Sequence, residues 1–298
     1  MSQAVAVRAA RPAPAAILEL LKPITWFAPM WAFGCGVVSS SAAPLAHLPQ
    51  VIAGLLLCGP LVCGTSQAAN DWYDRAVDAI NEPGRPIPSG RIGGRWGLYI
   101  ALIGTAASLL LAGALGPWGL AATAIGLVLA WAYSAPPVRL KQNGWWGNLA
   151  CGACYEGLPW VTGVGVLSPA APGWHVLIIA GLYSLGAHGI MTLNDFKSVD
   201  GDRQIGINSL PVLLGVERAA HLACWAMALP QIAVVLLLLG WGQVTAGFVV
   251  SLALMAQWAL MLRLLQQPRA RAPWYNATGT SLYVLGMLAC AIALRGGA

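Results

Sequence analysis

Nine stretches of this 298-residue chain run apolar for about twenty residues each, near 24–43, 49–69, 97–115, 118–136, 147–167, 174–193, 219–240, 243–265 and 275–295. A helix of that length crosses the roughly 30 Å of hydrocarbon in a bilayer. Charged residues make up 9% of the chain, against about 25% in an ordinary soluble domain. The pattern predicts an all-α membrane protein: a bundle of nine transmembrane helices forming one domain over 1–298. A short basic tail, 1–16 with Arg8 and Arg11, precedes it. That tail has no apolar core or cleavage site of its own, so no removable signal peptide is expected.

The basic residues fix an orientation for such a bundle. With the N-terminus in the cytoplasm, fifteen of the sixteen Lys and Arg fall on the cytoplasmic side, Arg295 alone landing opposite. Nine of the ten acids follow them, the exception being Glu156 within the fifth span. The outer connections carry no charge, so all polar chemistry is expected at one membrane face. A secondary transporter should show polar groups near mid-membrane and a route to both faces, and only Glu156 qualifies.

Seven of the ten carboxylates crowd into two short stretches, 70–82 and 194–202, each following an even-numbered span. The first reads Asn70-Asp71-Trp72-Tyr73-Asp74-Arg75-Ala76-Val77-Asp78, and the second Asn194-Asp195-Phe196-Lys197-Ser198-Val199-Asp200-Gly201-Asp202. On a helix, spacings of three, four and seven put Asp71, Asp74 and Asp78 on one face with Asn70 at its edge. Three like charges there repel one another unless a cation sits among them. By the same spacing Asp195 and Asp202 share a face while Asp200 points elsewhere. Aligning the motifs, 124 residues apart, matches Asp71 with Asp195 and Asp78 with Asp202 but sets Asp74 against Ser198. The match suggests pseudo-repeated halves meeting at one site. The plain alternative is a solvated cytoplasmic cap, salt-bridged to its arginines.

Hard oxygen donors suit magnesium, and Asn70, Asp71, Asp74, Asp78, Asp195 and Asp202 are the candidate ligands. A metal-bound diphosphate would also need cations around it. Arg85, Arg91, Arg139, Lys141, Lys197 and Arg203 lie close by in sequence, and any of them also serves as an orientation signal. Cys151 and Cys154 have a C-x-x-C spacing but no second pair or nearby His to complete a zinc site. The seven cysteines read as small hydrophobes.

The chain resembles the UbiA-type intramembrane prenyltransferases over nearly its whole length. The carrying features are the nine helices, the Asn-Asp-x-x-Asp-x-x-x-Asp motif at Asn70–Asp78 and the second acidic motif after the sixth span. The second motif usually reads Asp-x-x-x-Asp. Here Ser198 stands in its first place and Asp202 keeps the last, with Asp195 one turn earlier as a possible substitute. Within the superfamily the likeness is closest to the chlorophyll and bacteriochlorophyll synthases. It rests on Leu21–Phe27, Met30–Gly36, Gly84–Gly90, Cys154–Trp160 and Asn194–Arg203.

The resemblance implies a magnesium-dependent enzyme, with two ions bridging the diphosphate, in the inner or photosynthetic membrane. It would join a geranylgeranyl or phytyl group to the propionate of bacteriochlorophyllide, or of chlorophyllide, releasing diphosphate. The acceptor is a carboxylate already ionised near neutral pH, so no catalytic His and no nucleophilic Ser or Cys is expected. Asp71, Asp74, Asp78, Asp195, Asp202 and Lys141 would carry the reaction, with Asn194 beside the second motif. Tyr133 either shields an allylic cation with its ring or is an interfacial aromatic. Tyr155, Glu156 and Trp160 lie early in the fifth span. Glu156 should face the bundle interior, either shaping a tetrapyrrole pocket or taking a hydrogen bond from a neighbouring helix. His188 either ligates the tetrapyrrole magnesium or pairs with another helix. The expected partners are both substrates, the bilayer, and pigment-assembly proteins or a second copy, with no role for nucleic acid. Other prenyltransferases of the superfamily, or a non-catalytic pigment scaffold, are the rival readings.

Overall fold

The computed structural model describes residues 11–40 and 43–295, and all of its elements are helical. Arg8 lies outside these residues. Helix α1 (Pro14–Leu20) begins within the expected tail and buries Ala16 and Leu20. Seven helices are long and apolar enough to cross a membrane. They are α3–α4 (Leu48–Leu56 and Gly64–Asn81, joined by a π-helical stretch Leu57–Cys63), α5 (Trp96–Leu115), α6 (Pro117–Ser134), α9 (Trp174–Asn194), α12 (Val216–Gly240), α13 (Val244–Leu264) and α14 (Pro268–Ala293). Two of the nine expected spans do not meet that measure. One is a 13-residue helix, α2 (Phe27–Ser39). The other is a helical run broken by a π turn, α7 (Gly144–Gly152), Ala153–Gly157 and α8 (Leu158–Gly165). Two short helices, α10 (Val199–Ile205) and α11 (Leu210–Leu214), cap the connection after α9.

Helices of this kind associate through small residues rather than through burial against water. Gly36 and Gly163 bring α2 against α8: a Cβ on Gly163 would sit 2.2 Å from the Phe33 carbonyl oxygen, and one on Gly36 2.1 Å from that of Trp160. The core holds large side chains, several with their polar ends satisfied, although the buried Tyr275 hydroxyl has no partner among the described residues. Trp160 is fully buried, donates to Ser39 Oγ at 3.0 Å and stacks on Tyr183. A reciprocal amide pair, Gln231–Gln257, joins α12 to α13 at 2.9 and 3.2 Å. Leu, Ile, Val and Trp stand exposed around the outside, as a lipid-facing surface requires.

Helix α4 continues three turns past the apolar run, carrying Asn70–Asp78 as helix. The second motif does not. Helix α9 stops at Asn194, a 3-10 turn covers Asp195–Lys197, and α10 begins at Val199. The expectation that Asp195 and Asp202 share a helical face is therefore corrected: the chain bends between them. The connection after α6 is stitched to that after α10. Gly144 N donates to the Asn208 carbonyl at 2.9 Å and Asn208 N to that of Gln142 at 3.0 Å. Gly144 is required there, because a Cβ would lie 2.6 Å from Leu210 N. Asn143 caps α7, its Oδ1 accepting from Trp145 N and Trp146 N.

Candidate active site

The two acidic motifs face one cavity of about 270 Å³ at the ends of α4, α6 and α9. Asn70, Asp74, Asp78, Arg85, Tyr133, Arg139, Lys141, Asp195 and Asp202 all line it, with Asn148, Ser198 and Ser209. Asp74 accepts from Arg139 at 3.0 Å and from Lys141. Burial pulls the Lys141 ammonium below its usual range, and the Asp74 carboxylate pulls it the other way. Arg85 donates to Asp78 at 2.9 Å and, less closely, to Asp71 at 3.4 Å, while also gripping Glu82. Across the cavity Asp195 accepts from Asn148 at 3.2 Å. Asp202 accepts from Ser198 at 3.0 Å and Ser209 at 2.8 Å. Ser198, standing where the first motif has Asp74, thus bonds a carboxylate rather than supplying one.

Other expected residues lie elsewhere. Asp71 is buried behind the cavity wall, held by Lys22 at 2.7 Å, with its Oδ2 lacking any partner among the described residues. Arg91 sits outside the cavity, tied to Glu19 and to the Gly84 carbonyl, where it straps the 83–95 connection to α1. Lys197 and Arg203 are exposed and do not line the cavity. Asn194 does not line the cavity, its side chain instead accepting from Asn276 on α14 at 2.7 Å. Asp200 points away as expected and pairs with Arg269. Trp160 belongs to the core and not to a pocket. Glu156 is 4% exposed and faces the interior as expected; of its two expected roles, the hydrogen bond from a neighbouring helix is not made among the described residues. The His188 ring lies 5.8 Å from that of Trp145.

Below the polar cavity runs an apolar lane. A space of about 200 Å³ shares Asn70 and Tyr133 with it and continues past Ser66, Ala130, Cys154 and Tyr155. Those last four residues also line a deeper space of about 50 Å³, ending among Cys58, Thr123 and Thr162. Tyr155 therefore lies along this lane, its hydroxyl 3.4 Å from Gln67 Nε2.

Magnesium fits the donor chemistry here. The cavity wall offers hard carboxylate oxygens from both motifs, and Asp71 keeps a buried oxygen bare. Among the described residues no three His, Cys, Asp or Glu side chains converge on one point, each carboxylate being held by cations, amides or hydroxyls. Four residues of this network had weak sequence signals. Lys22 reads as an orientation charge, and Ser198 and Ser209 as loop. Asn148 is a polar residue inside an apolar run, a signal that deserves more weight.

A membrane bundle with two acidic motifs over a cationic cavity and an apolar lane defines a class. The chain belongs to the UbiA prenyltransferase family, whose profile matches residues 25–293. It is 57% identical to the bacteriochlorophyll synthase 33 kDa chain of Cereibacter sphaeroides, covering 96% of this chain and 94% of that one. It is 38% identical to the chloroplastic chlorophyll synthase of Arabidopsis thaliana, covering 93% and 73%. Among solved structures, a UbiA homologue from Archaeoglobus fulgidus bound to DMAPP and Mg2+ shares the fold. Its TM-score is 0.72 at 19% identity, over 93% of this chain and 99% of that one.

Proposed function

We propose that this chain transfers a geranylgeranyl or phytyl group from its diphosphate to the propionate carboxylate of bacteriochlorophyllide a. The ester C–O bond forms at the allylic carbon as its bond to the diphosphate oxygen breaks, and diphosphate leaves. The observation that carries the reading is the continuity of a cation-lined acidic cavity with an apolar lane, a shape suited to a charged head on an isoprenoid tail. The relatives named bacteriochlorophyll synthase support the tetrapyrrole acceptor. The chlorophyll synthase relatives keep chlorophyllide as the alternative.

Asp74, Asp78 and Asn70 from the first motif, and Asp195 and Asp202 from the second, would hold magnesium, with Asp71 behind them. We assign one ion to each motif. Magnesium supplies charge neutralisation on the departing diphosphate. Arg85, Arg139 and Lys141 stabilise the same oxygens, exchanging carboxylate partners for phosphate ones. Tyr133, at the junction of cavity and lane, would shield with its ring the carbon that becomes cation-like. The acceptor carboxylate needs orientation and no base. The 83–95 connection, strapped by Arg91, keeps water from competing for the cation.

The membrane reading extends accordingly. Adding α2, lengthened by the turn Pro23–Thr25, and the run Gly144–Gly165 to the seven apolar helices makes nine crossings in one domain of two pseudo-repeated halves. The N-terminus and the site are then cytoplasmic, in an inner or photosynthetic membrane, with the C-terminus opposite. Purified protein, supplied with magnesium and geranylgeranyl or phytyl diphosphate, should esterify bacteriochlorophyllide faster than chlorophyllide. Product only with an aromatic acid acceptor would overturn this function.

A further inference from the structure

Arg269, at the start of α14, pairs with Asp200 on α10 at 2.5 Å, so the turn from α13 into α14 lies at the membrane face that holds the diphosphate cavity. That turn carries an open cup of about 470 Å³, lined by Arg263, Gln266, Arg271 and Trp274, with no carboxylate among them. Its two arginines differ from the others near the site. Arg85, Arg91, Arg139 and Arg269 each grip a carboxylate. Arg263 gives its main-chain carbonyl to Arg271, but its own guanidinium pairs with no carboxylate among the described residues. Arg271 commits Nη1 to that carbonyl at 2.6 Å and to Gln266 Oε1 at 2.7 Å, which leaves its Nε and Nη2 open. Nε and Nη2 together form the edge that meets two phosphate oxygens at once. Arginine keeps its charge throughout the physiological range, so the cup is built for an anion.

The cup opens at the head of an apolar stripe. Phe248, Leu252, Met255 and Leu262 follow one another on α13 at spacings of four, three and seven, which puts them on one face. Each is at least half exposed, and Leu262 ends the stripe next to Arg263. Trp274 stands at the rim, where an indole suits the boundary between hydrocarbon and headgroup. A small soluble anion would engage the guanidinium groups and leave stripe and indole unused. A phospholipid engages all three. A zwitterionic headgroup brings a cation that finds no carboxylate here, so the cup favours an anionic one.

We propose that the α13–α14 turn binds an anionic phospholipid, its phosphate held by Arg263 and the open edge of Arg271. One acyl chain lies along the stripe from Phe248 to Leu262. The site shares no lining residue with the diphosphate cavity and does not depend on which acceptor is esterified.

The test uses full-length protein in maltoside micelles, with the unfolding temperature followed as dioleoylphosphatidylglycerol, dioleoylphosphatidylcholine or inorganic phosphate is added. Phosphatidylglycerol should raise that temperature saturably, and the other two should do less at equal concentration. Arg263→Gln should need about tenfold more phosphatidylglycerol for half the rise, the scale of one lost charge-assisted contact. Arg269→Gln removes the same charge outside the cup and should respond to lipid as wild type does. Without added lipid, Arg263→Gln should unfold where wild type does. An equal rise with phosphatidylcholine, an equal rise with inorganic phosphate, or equal weakening in both variants would overturn the site. Those results point in turn to acyl contact alone, a free anion and diffuse surface charge. An Arg263→Gln protein already destabilised before lipid is added would overturn it as well, by giving that arginine a structural role.

Discussion

At the scale of residues, the site is a set of carboxylates each held by a different partner, and this makes their losses distinguishable. Asp78→Asn and Asp202→Asn remove charge from opposite walls of the cavity without changing shape. Each should lower kcat by about 10²–10³-fold, the scale of losing one preorganised electrostatic group. Diphosphate release measured at saturating magnesium checks this, and wild-type rates in either variant would refute it. The arginines should separate in the same assay. Arg85→Ala should weaken prenyl diphosphate binding by about tenfold or more, as removal of a charge-assisted contact does. Arg91→Ala should leave the donor KM unchanged, because Arg91 contacts Glu19 and a main-chain carbonyl outside the cavity.

Sequence spacing was informative within one helix and failed where the chain turned. Asp71, Asp74 and Asp78 lie on helix as their spacing requires, and even there Asp71 is drawn behind the wall by Lys22, 49 residues earlier. For the elements, close approach is what matters. Glycines at 36 and 163 let α2 and α8 touch main chain to main chain. Gly163→Val forces a branched side chain into the Phe33 carbonyl and should cost about 1–3 kcal/mol, the usual penalty of overpacking. A lowered unfolding temperature of detergent-solubilised protein measures it, with Gly34→Ala as the control, since a Cβ there meets nothing within 4 Å. The break after Asn194 is likewise an event between elements. It carries Asp202 back to the cavity on α10 and points Asn194 at α14. No periodicity in 194–202 announces that bend.

For the whole molecule, the decisive feature is how the polar cavity joins the lane between α4, α6 and the α7–α8 run. Ala130 lies in both lower spaces. Ala130→Phe should block the lane and penalise a twenty-carbon donor by at least about tenfold, while a five-carbon donor keeps its rate. Each buried methylene is worth about 0.8 kcal/mol, so loss of a few is enough. The ratio of kcat/KM for the two donors reads the effect directly, and equal losses would place the tail elsewhere.

Hydropathy alone established a helical membrane protein, because the bilayer forbids unsatisfied backbone in its interior. The paired motifs pointed to an oxygen-rich site. Which carboxylates meet, which cations answer them, and which residues belong to the core came only with the packed bundle. Several of those pairings are distant in sequence, Asn148 with Asp195 across 47 positions, Lys22 with Asp71 across 49 and Lys141 with Asp74 across 67, held together by helix contacts that local sequence does not encode.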